Sequence, residues 1–277
     1  MRSLVQPGPT HPVRIDSFGG EPVPLRFVLH AGLSLTEALT EPPVEAGFQS
    51  ATLAIAGGAL NPFRYVMPGP ADDASHVAYF TAPRAPPGVT RIERANAAFG
   101  WSDSKPFLHC HAAWIEPDGS RWGGHILPHD SFVCEETLVE AWGFRDIRVA
   151  TARDAETNFT LFQPSGVTAA GARGLFARTK PNEDITFAVE AAAAEHGLRS
   201  AVVRGSLGSL IGARFTDGTD VPDHATEVLV REGSVRDGIA TLDLLVVDIT
   251  GQVHGGLPAR GQNPVCITFD LILEQVR

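Results

Sequence analysis

Residues 108–127 read LHCHAAWIEPDGSRWGGHIL, and the rest of the chain is best read outward from them. Asp118-Gly119 is a strong hairpin signal, because a tight turn between strands needs backbone angles that Asp and Gly tolerate. On one side Phe107 to Ile115 reads as a strand, and on the other Arg121 to Ile126 reads as its return. Residues i and i+2 of a strand share a face. His109 and His111 therefore project together, Cys110 projects the other way, and His125 lies on the partner strand. The adjacent Gly123-Gly124 lets a backbone or a ligand approach closely. Three imidazoles on one face with an open position form a catalytic zinc arrangement. Imidazole also suits iron, copper and nickel, so the expected cofactor is zinc or another divalent transition metal. The bland alternative is three strand histidines packed among Phe107, Trp114 and Trp122.

Upstream, Leu25 to Leu29, Ser50 to Ala56 and His76 to Thr81 read as strands, and Ser131 to Ala141 reads as another downstream. A short helix is predicted over Leu33 to Leu39, with Ser34 as N-cap and Glu37 at capping-box spacing, stopped by Pro42-Pro43. The second half shows the same order. A helix from Ile185 to His196 precedes strands at Ser200 to Arg204, Thr226 to Arg231, Ile239 to Asp248 and Val265 to Leu273. Gly47-Phe-Gln-Ser-Ala-Thr-Leu matches Gly197-Leu-Arg-Ser-Ala-Val-Val at an offset of 150. Gly119, Gly123, Gly124, Val133 and Cys134 match Gly251, Gly255, Gly256, Val265 and Cys266 at an offset of 132. The expected architecture is α+β: two tandem units, each a mixed or antiparallel sheet packed with a helix, the second shorter by 150 − 132 = 18 residues. The expected organisation is an extended arm over 1–24, a unit over 25–151, a linker over 152–182 and a degenerate unit over 183–277. In the second unit His109, His111 and His125 become Thr241, Asp243 and Leu257, so one metal site per chain is expected.

The chain has 22 Lys plus Arg and 32 Asp plus Glu, a formal charge of −10, which opposes a surface built for nucleic acid. Hydrophobic residues at 43% suffice for a core and exclude a largely disordered chain. Cys110, Cys134 and Cys266 cannot form a disulfide framework and fit a reducing compartment. No apolar run reaches membrane-helix length and the N-terminus does not read as a signal peptide, so a cytoplasmic protein is expected.

The order His-x-His, acidic Asp-Gly turn, Gly-Gly-His resembles the PPC (plants and prokaryotes conserved) domain, as does Gly57-Gly58-Ala59 after the helix and strand. The resemblance covers about 25–145 well and about 183–277 as a degenerate copy. It implies a homo-oligomer, usually a trimer, and His109, His111 and His125 as metal ligands. Plant members join the domain to AT-hooks and associate with DNA. This chain has no Gly-Arg-Pro core, so direct DNA binding does not carry over. The implied fold is shared with acetolactate decarboxylase, which brings decarboxylation or hydrolysis at zinc within fold-level analogy.

Weaker catalytic candidates are Glu93, as a base or fourth ligand, and His129 and Asp130 at the end of the return strand. Glu227 holds a point similar to Glu93 in the half without histidines, which favours a structural Glu93. Arg64 and Arg94 are candidates for pairing with a carboxylate. All four tryptophans lie between 101 and 142, as a bulky wall around the hairpin. The function expected is a metal-binding protein, as a lyase or hydrolase acting on a small carboxylated or carbonyl metabolite. The alternative is a non-catalytic regulatory, DNA-associated or scaffold module.

Overall fold

The computed structural model describes residues 2–276. In chain order the main elements begin with β1 (Ile15–Gly20), β2 (Val23–Leu29), α1 (Leu35–Glu45), β3 (Ser50–Ala56), β4 (Thr90–Ser102), β5 (Lys105–Ile115), β6 (Arg121–Ile126) and β7 (Thr137–Phe144). A hairpin of β8 (Arg148–Arg153) and β9 (Thr160–Ser165) leads to β10 (Gly174–Thr179) and α2 (Ile185–Glu195). The chain closes with β11 (Ser200–Val203), β12 (Thr226–Arg236), β13 (Ile239–Val247), β14 (Val253–Gly256) and β15 (Val265–Gln275).

The first sheet runs β2-β7-β3-β4-β5-β6 and the second runs β10-β15-β11-β12-β13-β14, so the two halves share one strand order. The three larger apolar clusters follow from strand alternation. Leu108, Cys110, Ala112 and Trp114 join Leu35 and Leu39 of α1 in the first. Leu242, Leu244 and Val246 join Val189 and Ala192 of α2 in the second. The third is the seam between the sheets, where Ala98, Ala113, Leu229, Leu245 and Ile272 meet. The odd-numbered face of β5, which carries both histidines, therefore looks into the seam.

The expected α+β class is corrected. Strands hold 51% and helices 9%, and the described residues form two α-helices and one short 3₁₀ turn, so the fold is β-rich. Among the described residues two stretches form α-helices, and more of the chain lies in paired strands than in any other state. The first helix has Ser34 and Glu37 in a reciprocal capping box, but it runs through Pro42 and Pro43 to Glu45. Both prolines still serve as acceptors there, from the amides of Ala46 and Phe48. Residues 1–24 are not merely an arm. The segment β1 pairs with β10 and extends the second sheet, Ile15 opposite Thr179. The expected linker holds all of β9 and β10 and the end of β8, with β8 meeting β4 through Ala150 and Trp101. The strand expected over Ser131 to Ala141 is divided into Val133–Glu135 and β7, and that over His76 to Thr81 contracts to Tyr79–Phe80. Among the described residues, no helix is long and apolar enough to cross a membrane.

Candidate metal centre

The hairpin brings the imidazoles together through its register. His125 lies directly opposite His111, and Gly123 and Gly124 lie opposite Ala113 and Ala112. Gly119 closes the turn at φ +85°, its amide donating to Glu116 O at 2.9 Å. A Cβ on Gly123 would sit 2.5 Å from Val247 Cγ2 and 3.0 Å from Ala112 O. The Gly123 amide instead donates to Gly251 O at 3.0 Å, joining the two halves beside the site. The glycine is there so that the second half can close over the hairpin.

One ligand atom from each of His109, His111 and His125 lies within 4.8 Å of the others, the one such group of three or more His, Cys, Asp or Glu among the described residues. His109 Nε2 and His111 Nε2 are 3.0 Å apart. The far nitrogens are held by the second half: His111 Nδ1 by Val228 O at 3.2 Å, and His109 Nδ1 by Asp270 Oδ2 at 3.4 Å. Both partners are acceptors, so each Nδ1 carries the hydrogen and each Nε2 presents a lone pair. Two lone pairs facing each other at this distance repel unless a proton or a metal cation lies between them. Ligand nitrogens on tetrahedral zinc, with Zn–N near 2.0–2.1 Å, would stand about 3.3 Å apart, close to the observed spacing.

Burial and the mutual charges of the cluster push the His111 pKa well below the ordinary imidazole value; only the Val228 carbonyl opposes them. Burial, with His109 adding, lowers His125 to about 3. These imidazoles are thus neutral, the form that binds metal. The Nδ1 atom of His125 is buried without a hydrogen-bond partner.

Glu227 completes the picture from the opposite sheet. It is 3% exposed, its Oε1 is 3.7 Å from His111 Nε2, and neither carboxyl oxygen has a hydrogen-bond partner. Burial raises its pKa well above the usual carboxylate range. An unpaired buried carboxylate is costly, and a cation at the imidazoles would relieve it. Asp270 is 1% exposed, with Oδ1 likewise unpartnered. Three converging imidazoles with two buried carboxyl groups suit a divalent cation, and on these grounds the donor set fits the expected metal.

The centre opens onto a cavity of about 260 Å³. Phe80, Phe107, Phe162 and Ile267 are among its walls, and Phe80 lies 5.0 Å from the His125 ring. The other candidates lie elsewhere. Glu93 is at the surface, paired with Arg121 at 2.6 Å. His129 and Asp130 are exposed, and Asp130 faces Arg64 at 3.8 Å. None of the four tryptophans lines the cavity. A second metal site on Asp243 and His254, the remaining option in the other half, is not assembled: Asp243 is paired with Arg231 at 2.5 Å and His254 with Asp248 at 2.8 Å. Sequence reasoning missed the roles of Glu227 and Asp270. By strand register Glu227 corresponds to Arg91 rather than Glu93, since it pairs with Val247 as Arg91 pairs with Ile115. The available signal was a lone acid inside an apolar strand, in Thr226-Glu-Val-Leu-Val and again in Ile267-Thr-Phe-Asp-Leu-Ile-Leu.

No protein-family model and no curated protein matches this chain. Several solved structures are similar to part of it. A PPC protein of Pyrococcus horikoshii is similar at 13% identity and TM-score 0.41, over 51% of this chain and 91% of its own. A metal-containing protein of Archaeoglobus fulgidus is similar at 22% identity and TM-score 0.40, over 54% of this chain and 97% of its own. A Salmonella enterica protein is similar at 14% identity and TM-score 0.43, over 55% of this chain and 99% of its own. The solved structures similar to this chain thus include a PPC protein, and each of these likenesses spans about half of its length.

Proposed function

We propose that this chain binds one divalent transition-metal ion, zinc before others, through His109, His111 and His125, and uses it on a small carbonyl- or carboxylate-bearing molecule. The observation that carries this reading is the convergence of three imidazoles within 4.8 Å beside the unpartnered carboxyl of Glu227. The two halves are read as copies of one unit, of which the first kept the ligands and the second supplies the carboxyl groups. A bound ion would supply Lewis acidity, polarising a substrate oxygen or lowering the pKa of water toward neutrality. Asp270 and the Val228 carbonyl fix the tautomers and orientations of His109 and His111. Glu227, 3.7 Å from His111 Nε2, is placed either to join the donor set or to hold a proton beside it. Phe80, Phe107 and Phe162 keep the cavity apolar, which strengthens electrostatic interactions inside it.

The test is elemental analysis of protein purified without a His-tag or chelator, beside a His109→Ala/His111→Ala variant. About one transition-metal ion per chain, lost in the variant, is expected. A native protein that takes up no metal, even after incubation with zinc, iron, nickel or manganese salts, would refute the reading.

A further inference from the structure

The two halves face each other reciprocally, so the position equivalent to the metal centre exists a second time. Ala112 pairs with Gly124 in the first half as Leu244 pairs with Gly256 in the second. The counterparts of His109, His111 and His125 are therefore Thr241, Asp243 and Leu257, and all three line a second cavity, of about 780 Å³. It is roomier than the first, whose wall includes Tyr79 and Phe80 from the longer middle segment of the first half.

The nitrogen donors of this cavity come from arginines at other positions. Arg94, Arg204, Arg231 and Arg236 line the cavity. Arg94 is half-buried and donates through Nη2 to the Arg231 carbonyl at 2.9 Å, while its Nε is buried without a partner. It has no carboxylate within ion-pair distance among the described residues. Arg231 uses Nη2 on Asp243 Oδ1 at 2.5 Å, and its Nε is also buried and unpartnered. Arg204 is held by Glu274 at 2.7 Å and lies over the Trp142 ring, 4.5 Å from its centroid. The acids on the same walls are Glu140, Glu232 and Asp243. Glu140 is paired with Arg26 at 2.6 Å and Asp243 with Arg231, which leaves Glu232 against Arg94 and Arg236. Buried guanidinium donors without acceptors are costly, and their planar fork matches the oxygens of a carboxylate or a phosphate. The volume lies within the range of small-molecule sites, and Leu138, Trp142 and Leu257 offer apolar surface for the body of a ligand.

We propose that this second cavity binds a small organic anion, its carboxylate or phosphate oxygens taken by Arg94 and Arg231. This stands independently of the metal centre, whose residues it does not share. The test is calorimetric titration of the full chain, at constant ionic strength, with succinate in one arm and glycerol 3-phosphate in the other. Saturable binding at millimolar concentration or below is expected in at least one arm, and the arm that responds identifies the oxyanion. Arg94→Gln is expected to weaken it roughly tenfold to a hundredfold, and His109→Ala/His111→Ala to leave it unchanged. No saturable binding in either arm overturns the proposal, as does binding that a folded Arg94→Gln protein retains or that the histidine variant loses. If Arg94→Gln does not fold, phenylglyoxal labelling of the wild-type chain decides. Protection of Arg94 and Arg231 by the anion supports the site, and equal labelling with and without it overturns it.

Discussion

Glu227→Gln separates a carboxyl that serves a metal from one that is merely buried. The group is 3% exposed, has no hydrogen-bond partner on either oxygen and lies 3.7 Å from His111 Nε2. The substitution keeps the shape and removes the charge. Losing an anionic group that supports a desolvated metal centre is expected to weaken binding about 100-fold. With metal at a hundred times the wild-type Kd, the ion stabilises the wild type by about 2.7 kcal/mol and the variant by about 0.4 kcal/mol. For a chain of this size the metal-induced rise in Tm is then roughly 5–11 °C in the wild type and roughly 1–2 °C in the variant. The apo variant should be no less stable than the apo wild type, because a buried carboxyl without a partner has been removed. Paired thermal scans with and without zinc after chelation read both quantities. Equal metal-induced shifts in the two proteins would refute the role given to Glu227, whatever the apo values.

Gly123→Ala places a Cβ 2.5 Å from Val247 Cγ2 and 3.0 Å from Ala112 O, so the seam must open; a loss of about 1–3 kcal/mol is expected in denaturant titrations. An unchanged midpoint would show that the halves do not depend on this close approach. Asp154 lies against the buried Arg178, 2.7 Å from Nη2. Burial alone would raise its pKa, but the hydrogen bond and charge of Arg178, with the Thr157 amide and hydroxyl, hold it below the ordinary value. A depressed carboxyl stabilises the fold above its unfolded pKa, and that contribution is lost as pH falls through the folded value. Asp154→Asn is thus expected to cost about 3 kcal/mol at neutral pH, with the deficit shrinking below about pH 4. A deficit independent of pH would contradict the pairing.

The hairpin and its histidines were legible because everything needed is local: an Asp-Gly turn, i and i+2 spacing, and glycines opposite small residues. Their second set of partners was not. Glu227 and Asp270 are more than a hundred positions in the chain from His111 and His109, the histidines they respectively meet, and reach them only when the sheets stack. The strand β4 was missed because its centre is buried on both faces. Ala95, Ala97, Ala98 and Phe99 are all inside, with Asn96 between them, so no alternation survives to be read. The segment β1 was hidden for another reason: among prolines and glycines it has little hydrophobic pattern, and its pairing with β10 is made by backbone groups. The reading of β9 and β10 as linker failed in the same way, since a crossing segment that joins sheets looks locally like any connection.

That crossing segment has a consequence for how the site survives dilution. Thr151 of β8, Phe159 before β9, and Thr160 and Phe162 on it, line the metal-side cavity, so the connection between the halves is also part of its wall. A centre divided between separate chains would come apart as their concentration fell. Here the imidazoles and Glu227 are tied by one continuous backbone, and each meets the other at an effective concentration set by the connection rather than by the cell. The meeting of these imidazoles with Glu227 is thereby made independent of how much of the protein is present.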